Sequence, residues 1–245
     1  MVKLNSNTRA TLALVAQLPV GALAVFLQSK ALLEANGTGG FSVAVYVSMS
    51  LFYMINIYLS YTEYTRARNI NNLKMIIPYI VSLVGPVSCI VSCIISRIKE
   101  QHLKGEHHLI PIVKSFFIIE DIYVLVFILV GFAVLPLISK RERIPYRDPR
   151  FQGYVSGIFI AIPQVFYATT IAMNGIAGIS GAALVLWLFP GLLRIYQLRA
   201  GNNGHAFDKK QRAIVLSEKM NVISWSPVVL AYGVIWLLIS LHFLK

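Results

Sequence analysis

Residues 112–139 read IVKSFFIIEDIYVLVFILVGFAVLPLIS. Beyond Lys114, Glu120 and Asp121 the stretch carries no charge, and its apolar residues run on without alternation. A helix crosses a hydrocarbon core roughly 30 Å thick with about 20 such residues. A lone strand is excluded, because lipid offers no partner to an unpaired backbone N–H or C=O. Runs of the same kind lie at 10–33, 41–61, 75–96, 151–173, 176–197 and 222–244. The pattern predicts an all-α membrane protein of about seven transmembrane helices. The first run is the most polar, with Gln17, Gln28, Ser29 and Lys30, and only Asn174-Gly175 separates the fifth from the sixth, which demands a tight turn. Residues 1–24 end in Ala22-Leu23-Ala24 like a signal peptide, and we take them as part of a retained first helix.

Composition points the same way. Of 245 residues, 57% are hydrophobic and 13% charged, with mean hydropathy +0.68; a soluble domain is about a quarter charged. The net charge of +12 collects between the runs. With seven spans, one side would carry Lys3, Arg9, Arg66, Arg68, Lys74, Lys140, Arg141, Arg143, Arg147, Arg150, Arg194, Arg199, Lys209, Lys210, Arg212 and Lys219. The other would carry Lys30, Arg97, Lys99, Lys104, Lys114 and Lys245. The positive-inside rule then predicts a cytoplasmic N-terminus and a C-terminus outside. The basic charge is a topology signal, and no motif points to nucleic acid. Cys89 and Cys93 sit one turn apart, a spacing that suits neither a disulfide nor a complete metal site.

The runs divide as three, one and three. The second and sixth open alike, with Gly40-Phe41-Ser42 and Gly178-Ile179-Ser180. The first and fifth carry proline beside or near glutamine, as Gln17-Leu18-Pro19 and Pro163-Gln164. The third and seventh follow Lys74-Met75 and Lys219-Met220 and then carry Pro78 and Pro227. This order predicts a three-helix repeat over 1–100, a linker helix over 101–145 and a second repeat over 146–245, an architecture that transporters use.

Ile162-Pro163-Gln164, Gly178-Ile179-Ser180 and Leu186-Trp187 together resemble a PQ-loop repeat. The resemblance is strongest over 151–197 and weaker over 10–61. It is to the SWEET-like superfamily of sugar transporters, cystinosin-type exporters, bacterial vitamin transporters and KDEL receptors. It implies two three-helix bundles, hinges at Pro19 and Pro163, and a cargo site near the bundle axis. An Asn and a Trp line the sugar site in that superfamily, which nominates Asn221 and Trp225. Phe189-Pro190-Gly191 stands where many members carry an acid.

The residues themselves nominate further candidates. Ser42, Tyr46, Met49, Tyr53, Asn56 and Ser60 share one helical face of the second run. Aligning the Gly-x-Ser motifs sets Trp187 against Met49 and Arg194 against Asn56. The substrate-binding candidates are therefore Gln17, Tyr53, Asn56, Gln164, Trp187, Asn221 and Trp225. Most have a structural alternative: Tyr53, Asn56 and Trp187 could serve interhelical bonding or the interface, Gln164 could satisfy a carbonyl freed by proline, Asn221 could cap a helix, and Trp225 could sit in the interfacial belt. Glu120 and Asp121 are the acids inside an apolar span, readable as coupling groups or as an interfacial ion pair with Lys114. Ser82, Gly85, Cys89, Ser92 and Ser96 form a small-residue stripe suited to close helix packing. Glu100, His102, Glu106, His107 and His108 match no standard metal spacing, Asn36-Gly37-Thr38 is a glycosylation sequon, and Lys209 to Lys219 suggest a short surface helix.

The expected function is transport of a small polar solute (a sugar, an amino acid or a nucleoside-like vitamin) by alternating access. A ligand-binding receptor or scaffold without net transport is the alternative. No enzyme is expected, since the histidines at 102, 107, 108, 205 and 242 lie in loops or at an end. The partners implied are the lipid bilayer and the solute, with a homo-oligomer left open, and no cofactor or metal is implied.

Overall fold

The structure is a computed structural model. It describes residues 6–35, 37–67, 70–103, 119–143, 145, 149–201 and 209–243. Every regular element among them is helical. In chain order these are α1 (Ser6–Glu34), α2 (Val43–Ala67), α3 (Ile70–Leu103), α4 (Ile119–Arg141) and α5 (Pro149–Ser156). A π-helical segment (Gly157–Ala161) joins α5 to α6 (Ile162–Asn174). Then come α7 (Gly181–Leu186), α8 (Leu188–Gly201) and α9 (Lys209–Phe243).

The all-helical reading holds, but seven membrane-crossing helices in a three-one-three arrangement do not. Among the described residues, five helices are long and apolar enough to cross a bilayer, with candidate spans Thr11–Glu34, Tyr79–Leu103, Asp121–Arg141, Gly153–Asn174 and Val215–His242. The second and sixth runs fall short, with apolar helix only over Val43–Leu59 and Gly181–Tyr196. The first of these is roughly 25 Å long at 1.5 Å per residue. Beyond Leu59 the helix continues through Tyr61, Thr62, Glu63 and Arg66, which are polar. In the sixth run the helix starts late because Ser180 caps it, its Oγ accepting from Ala183 N at 3.2 Å. The same run then breaks at Trp187. Pro190 has no N–H for the Leu186 carbonyl, so a regular helix cannot pass through this turn intact. The basic stretch 209–219 is likewise no separate surface helix but the start of α9.

Polarity is distributed inside out. Leu12, Phe26, Val84, Val91, Leu129, Leu137, Leu230 and Leu238 are exposed, while Gln28, Ser42, Ser48, Asn56, Arg97, Asp121, Gln164 and Arg194 are buried. Water favours the opposite arrangement. A hydrocarbon solvent favours this one, because polar groups then satisfy each other inside the bundle. The long apolar helices and this polarity are those of an integral membrane protein. Of the two short helices, α2 is the more enclosed: it packs against α3, α4, the π segment and α6, while α7 and α8 pack against α1 and α9 and leave Val185, Phe189, Leu192 and Tyr196 exposed. Small residues set the closest approaches. A Cβ on Gly85 of α3 would lie 3.0 Å from Val25 of α1, and one on Gly131 of α4 would collide with Ile158 of the π segment.

Candidate functional site

Two loops meet at one end of the bundle. The Gly40-Phe41-Ser42 and Gly178-Ile179-Ser180 motifs form matching turns. Phe41 N donates to Thr38 O at 3.0 Å and Ile179 N to Ile176 O at 3.1 Å. Ser42 Oγ accepts from Val45 N at 3.3 Å as Ser180 Oγ does from Ala183 N. Gly175 and Gly178 turn the second loop with φ of 84° and 76°, which favours glycine. The loops touch so closely that a Cβ on Gly40 would run into the Gly175 carbonyl oxygen. Gln28 of α1 ties them further: its Nε2 donates to Gly178 O at 2.8 Å and its Oε1 accepts from Ser180 N at 3.1 Å.

Two charged side chains complete this loop end. Arg97 of α3 is buried and donates to Thr38 Oγ1 at 2.9 Å and Phe41 O at 3.1 Å. Asp121 is fully buried; its Oδ1 accepts from Ser42 Oγ and from Ala44 N at 3.2 Å. A carboxylate there faces the positive N-terminal end of α2. Asp121, nominated for coupling, thus finishes a helix cap. Glu120 lies beside it in α4, with its side chain outside the described residues, as is Lys114.

An aromatic layer follows. Trp187 stacks on Trp225 with centroids 5.6 Å apart and planes at 17°. Tyr46 meets Trp187 at 5.5 Å and Tyr167 at 5.8 Å, both edge-on, and Tyr167 meets Trp225 at 6.1 Å. Trp225 is buried rather than interfacial, and its Nε1 donates to Leu184 O at 2.7 Å, where α7 nears its break.

Toward the opposite, basic end lies a charged layer. Arg194 Nε pairs with Glu218 Oε1 at 3.0 Å, and their side chains are only 8% and 13% exposed. The guanidinium lies over the Tyr79 ring, 4.3 Å from its centroid. Tyr53 of α2 interacts electrostatically with the same pair, and its hydroxyl hydrogen-bonds with Ser82. Arg194 Nη2 is buried without a hydrogen-bond partner. Gly191 makes the crossing possible, since a Cβ there would lie 2.8 Å from Val222 Cγ2 on α9.

The candidates fall into distinct groups. Gln164 and Asn221 come together: Gln164 Nε2 donates to Asn221 Oδ1 at 3.1 Å, and Ser224 Oγ donates to Gln164 Oε1. Asn221 lies well inside α9 and caps nothing. Asn56 is buried and returns its Nδ2 to Phe52 O of its own helix at 2.8 Å. Gln17 is half-buried on α1 and Pro19 is exposed. Pro163 is buried just after the π segment. Its absent N–H leaves the Phe159 carbonyl, one turn back, without its regular partner. Ser48 Oγ of α2 fills that place at 2.8 Å, the part considered for Gln164.

Sequence reasoning missed Ser48, Gln28, Arg97, Tyr79 and Glu218 as partners. Glu218 followed a basic run and looked like a surface residue. The signal that could have found it was its spacing, seven residues before Trp225, matching Arg194 seven after Trp187 on an opposed helix. The stripe Gly85, Cys89, Ser92 and Ser96 is buried against neighbours, as packing requires. Of the loop cluster, Glu106, His107 and His108 lie outside the described residues, as does Asn36 of the sequon. Compared with family models, curated proteins and solved structures, the chain matches none.

Proposed function

We propose that the protein is a membrane transporter that moves a small polar solute (a sugar, an amino acid or a nucleoside-like vitamin) by alternating access. The observation that carries this reading is the Arg194–Glu218 pair, buried between helices toward the basic end of a bundle with an apolar exterior. Ionisable groups buried between membrane helices are costly and mark pathways. The aromatic layer above the pair offers a stacking wall, and the packed loops close the far end. Pro163, at a π segment where regular helix bonding is already broken, is a suitable hinge. The PQ-loop resemblance of 162–187 supports the same reading. The chemistry proposed is binding and motion, not catalysis. The excess of basic residues at the end that holds Arg66, Arg199 and Lys209 supports a cytoplasmic N-terminus.

Uptake of labelled sugars, amino acids and nucleosides into proteoliposomes tests this. Saturable uptake of one class is expected. Tight binding without uptake would favour a receptor or scaffold instead.

A further inference from the structure

We propose that Arg194 receives the carboxylate of a small monoanionic solute at its Nη2 edge. This rests on the transport reading and names the class of its cargo. A guanidinium carries five N–H donors in a planar fork. In Arg194 the Nε donor is taken by Glu218 at 3.0 Å and one face by Tyr79, yet Nη2 has no acceptor although it is buried. A buried charged donor without a partner is costly, and a structural arginine is normally satisfied. Arg97 shows that this fold does so elsewhere, setting its guanidinium on Thr38 and Phe41 oxygens. In this proposal the Nη2 donor of Arg194 is the group that a ligand oxygen meets.

The neighbours define the ligand. Nη2 takes one oxygen, and the hydroxyl of Tyr53, which interacts electrostatically with Arg194 and Glu218 and hydrogen-bonds with Ser82, serves in this proposal as a second donor to the same group. Glu218 stays in place and repels anions, so a dianion such as phosphate is opposed about twice as strongly as a monoanion. A neutral amide lacks the charge-assisted bond that offsets desolvation of the site. The stacked Trp187 and Trp225 lie two turns away, about 10 Å along the helices. They offer an apolar face to the remainder of the solute. A phosphodiester lipid headgroup is also a monoanion, so the test separates that source.

Protein purified in detergent without added lipid is titrated with acetate, lactate, benzoate and nicotinate while tryptophan fluorescence and thermal unfolding are followed. Acetamide, benzamide, nicotinamide, inorganic phosphate and a short-chain phosphatidylglycerol are the comparisons. At least one carboxylate should bind and stabilise, and its amide should not. Arg194→Lys should weaken binding about tenfold or more, since an ammonium lacks the planar fork, and Glu218→Gln should tighten it. Tyr53→Phe, the loss of one hydroxyl, should weaken it several-fold at an unchanged melting temperature, and it decides the matter if Arg194→Lys fails to fold. The proposal is overturned if no carboxylate binds, if amides bind equally, if only phosphate or phosphatidylglycerol binds, or if these variants bind like the parent. Carboxylate binding without vesicle uptake would refute transport and leave the site standing. Uptake of a neutral solute unaffected by Arg194→Lys would do the reverse.

Discussion

Asp121 illustrates how little a residue type alone decides. An acid inside an apolar run is visible in any sequence, and it invites a coupling role. Its partner, Ser42, is 79 residues away, and nothing local links the two. What the carboxylate does here is hold the start of α2 through Ser42 Oγ and Ala44 N. A capping hydroxyl contributes about 1 kcal/mol and a buried charge at a helix N-terminus a further 1–2 kcal/mol, roughly. Ser42→Ala and Asp121→Asn should each lower the detergent-solution unfolding temperature by several degrees, with Asp121→Asn the larger effect. Unchanged melting of both variants would remove Asp121 from the cap. The Gly-x-Ser motif was legible as the shared opening of two apolar runs, whereas its role as a turn followed by a serine cap rests on hydrogen bonds that only the fold shows.

Among the elements, the π segment and Pro163 carry the clearest physical consequence. In a regular helix the Phe159 carbonyl would accept from residue 163, and proline cannot donate. Ser48 supplies the missing donor. Ser48→Ala should therefore cost about 1–2 kcal/mol by orphaning that carbonyl. In a Pro163→Ala background the restored N–H takes over, so the same change should cost only a few tenths. A double-mutant cycle of thermal or denaturant unfolding reads the coupling, expected near 1 kcal/mol. Strict additivity would mean that Ser48 and Pro163 act independently. Helix existence was legible throughout, since long apolar runs leave no other choice in lipid. Helix length was not. A run such as 176–197 counts as a span on hydropathy, whereas the Ser180 cap and the break at Trp187 leave a shorter, interrupted pair of helices. Burial of most of α2 among other helices removes the pressure for it to match the bilayer alone.

At the scale of the whole molecule, polar layers are stacked along a bundle whose outer surface is apolar. The membrane class was legible from composition because lipid reverses the usual placement of polar residues. The pairings within the layers were not, since Gln28 with Gly178 and Arg194 with Glu218 join distant segments or opposed helices. The layers differ in what they can do. The loop end is closed by backbone contacts and by Gln28, Arg97 and Asp121, all engaged. The basic end holds the open donor of Arg194. Alternating access requires the closed loop end to open in turn. Gly39 and Asn174 are both exposed there, with a Cβ on Gly39 falling 3.9 Å from the Asn174 carbonyl oxygen. Cys89 and Cys93 are buried, so an introduced thiol pair would react without interference. The decisive measurement is uptake into proteoliposomes by the Gly39→Cys/Asn174→Cys protein, before oxidation, after oxidation and after reduction. Alternating access predicts uptake that the disulfide abolishes and reduction restores. Uptake that persists with the loops locked, or none in any state when the parent shows none either, would contradict it.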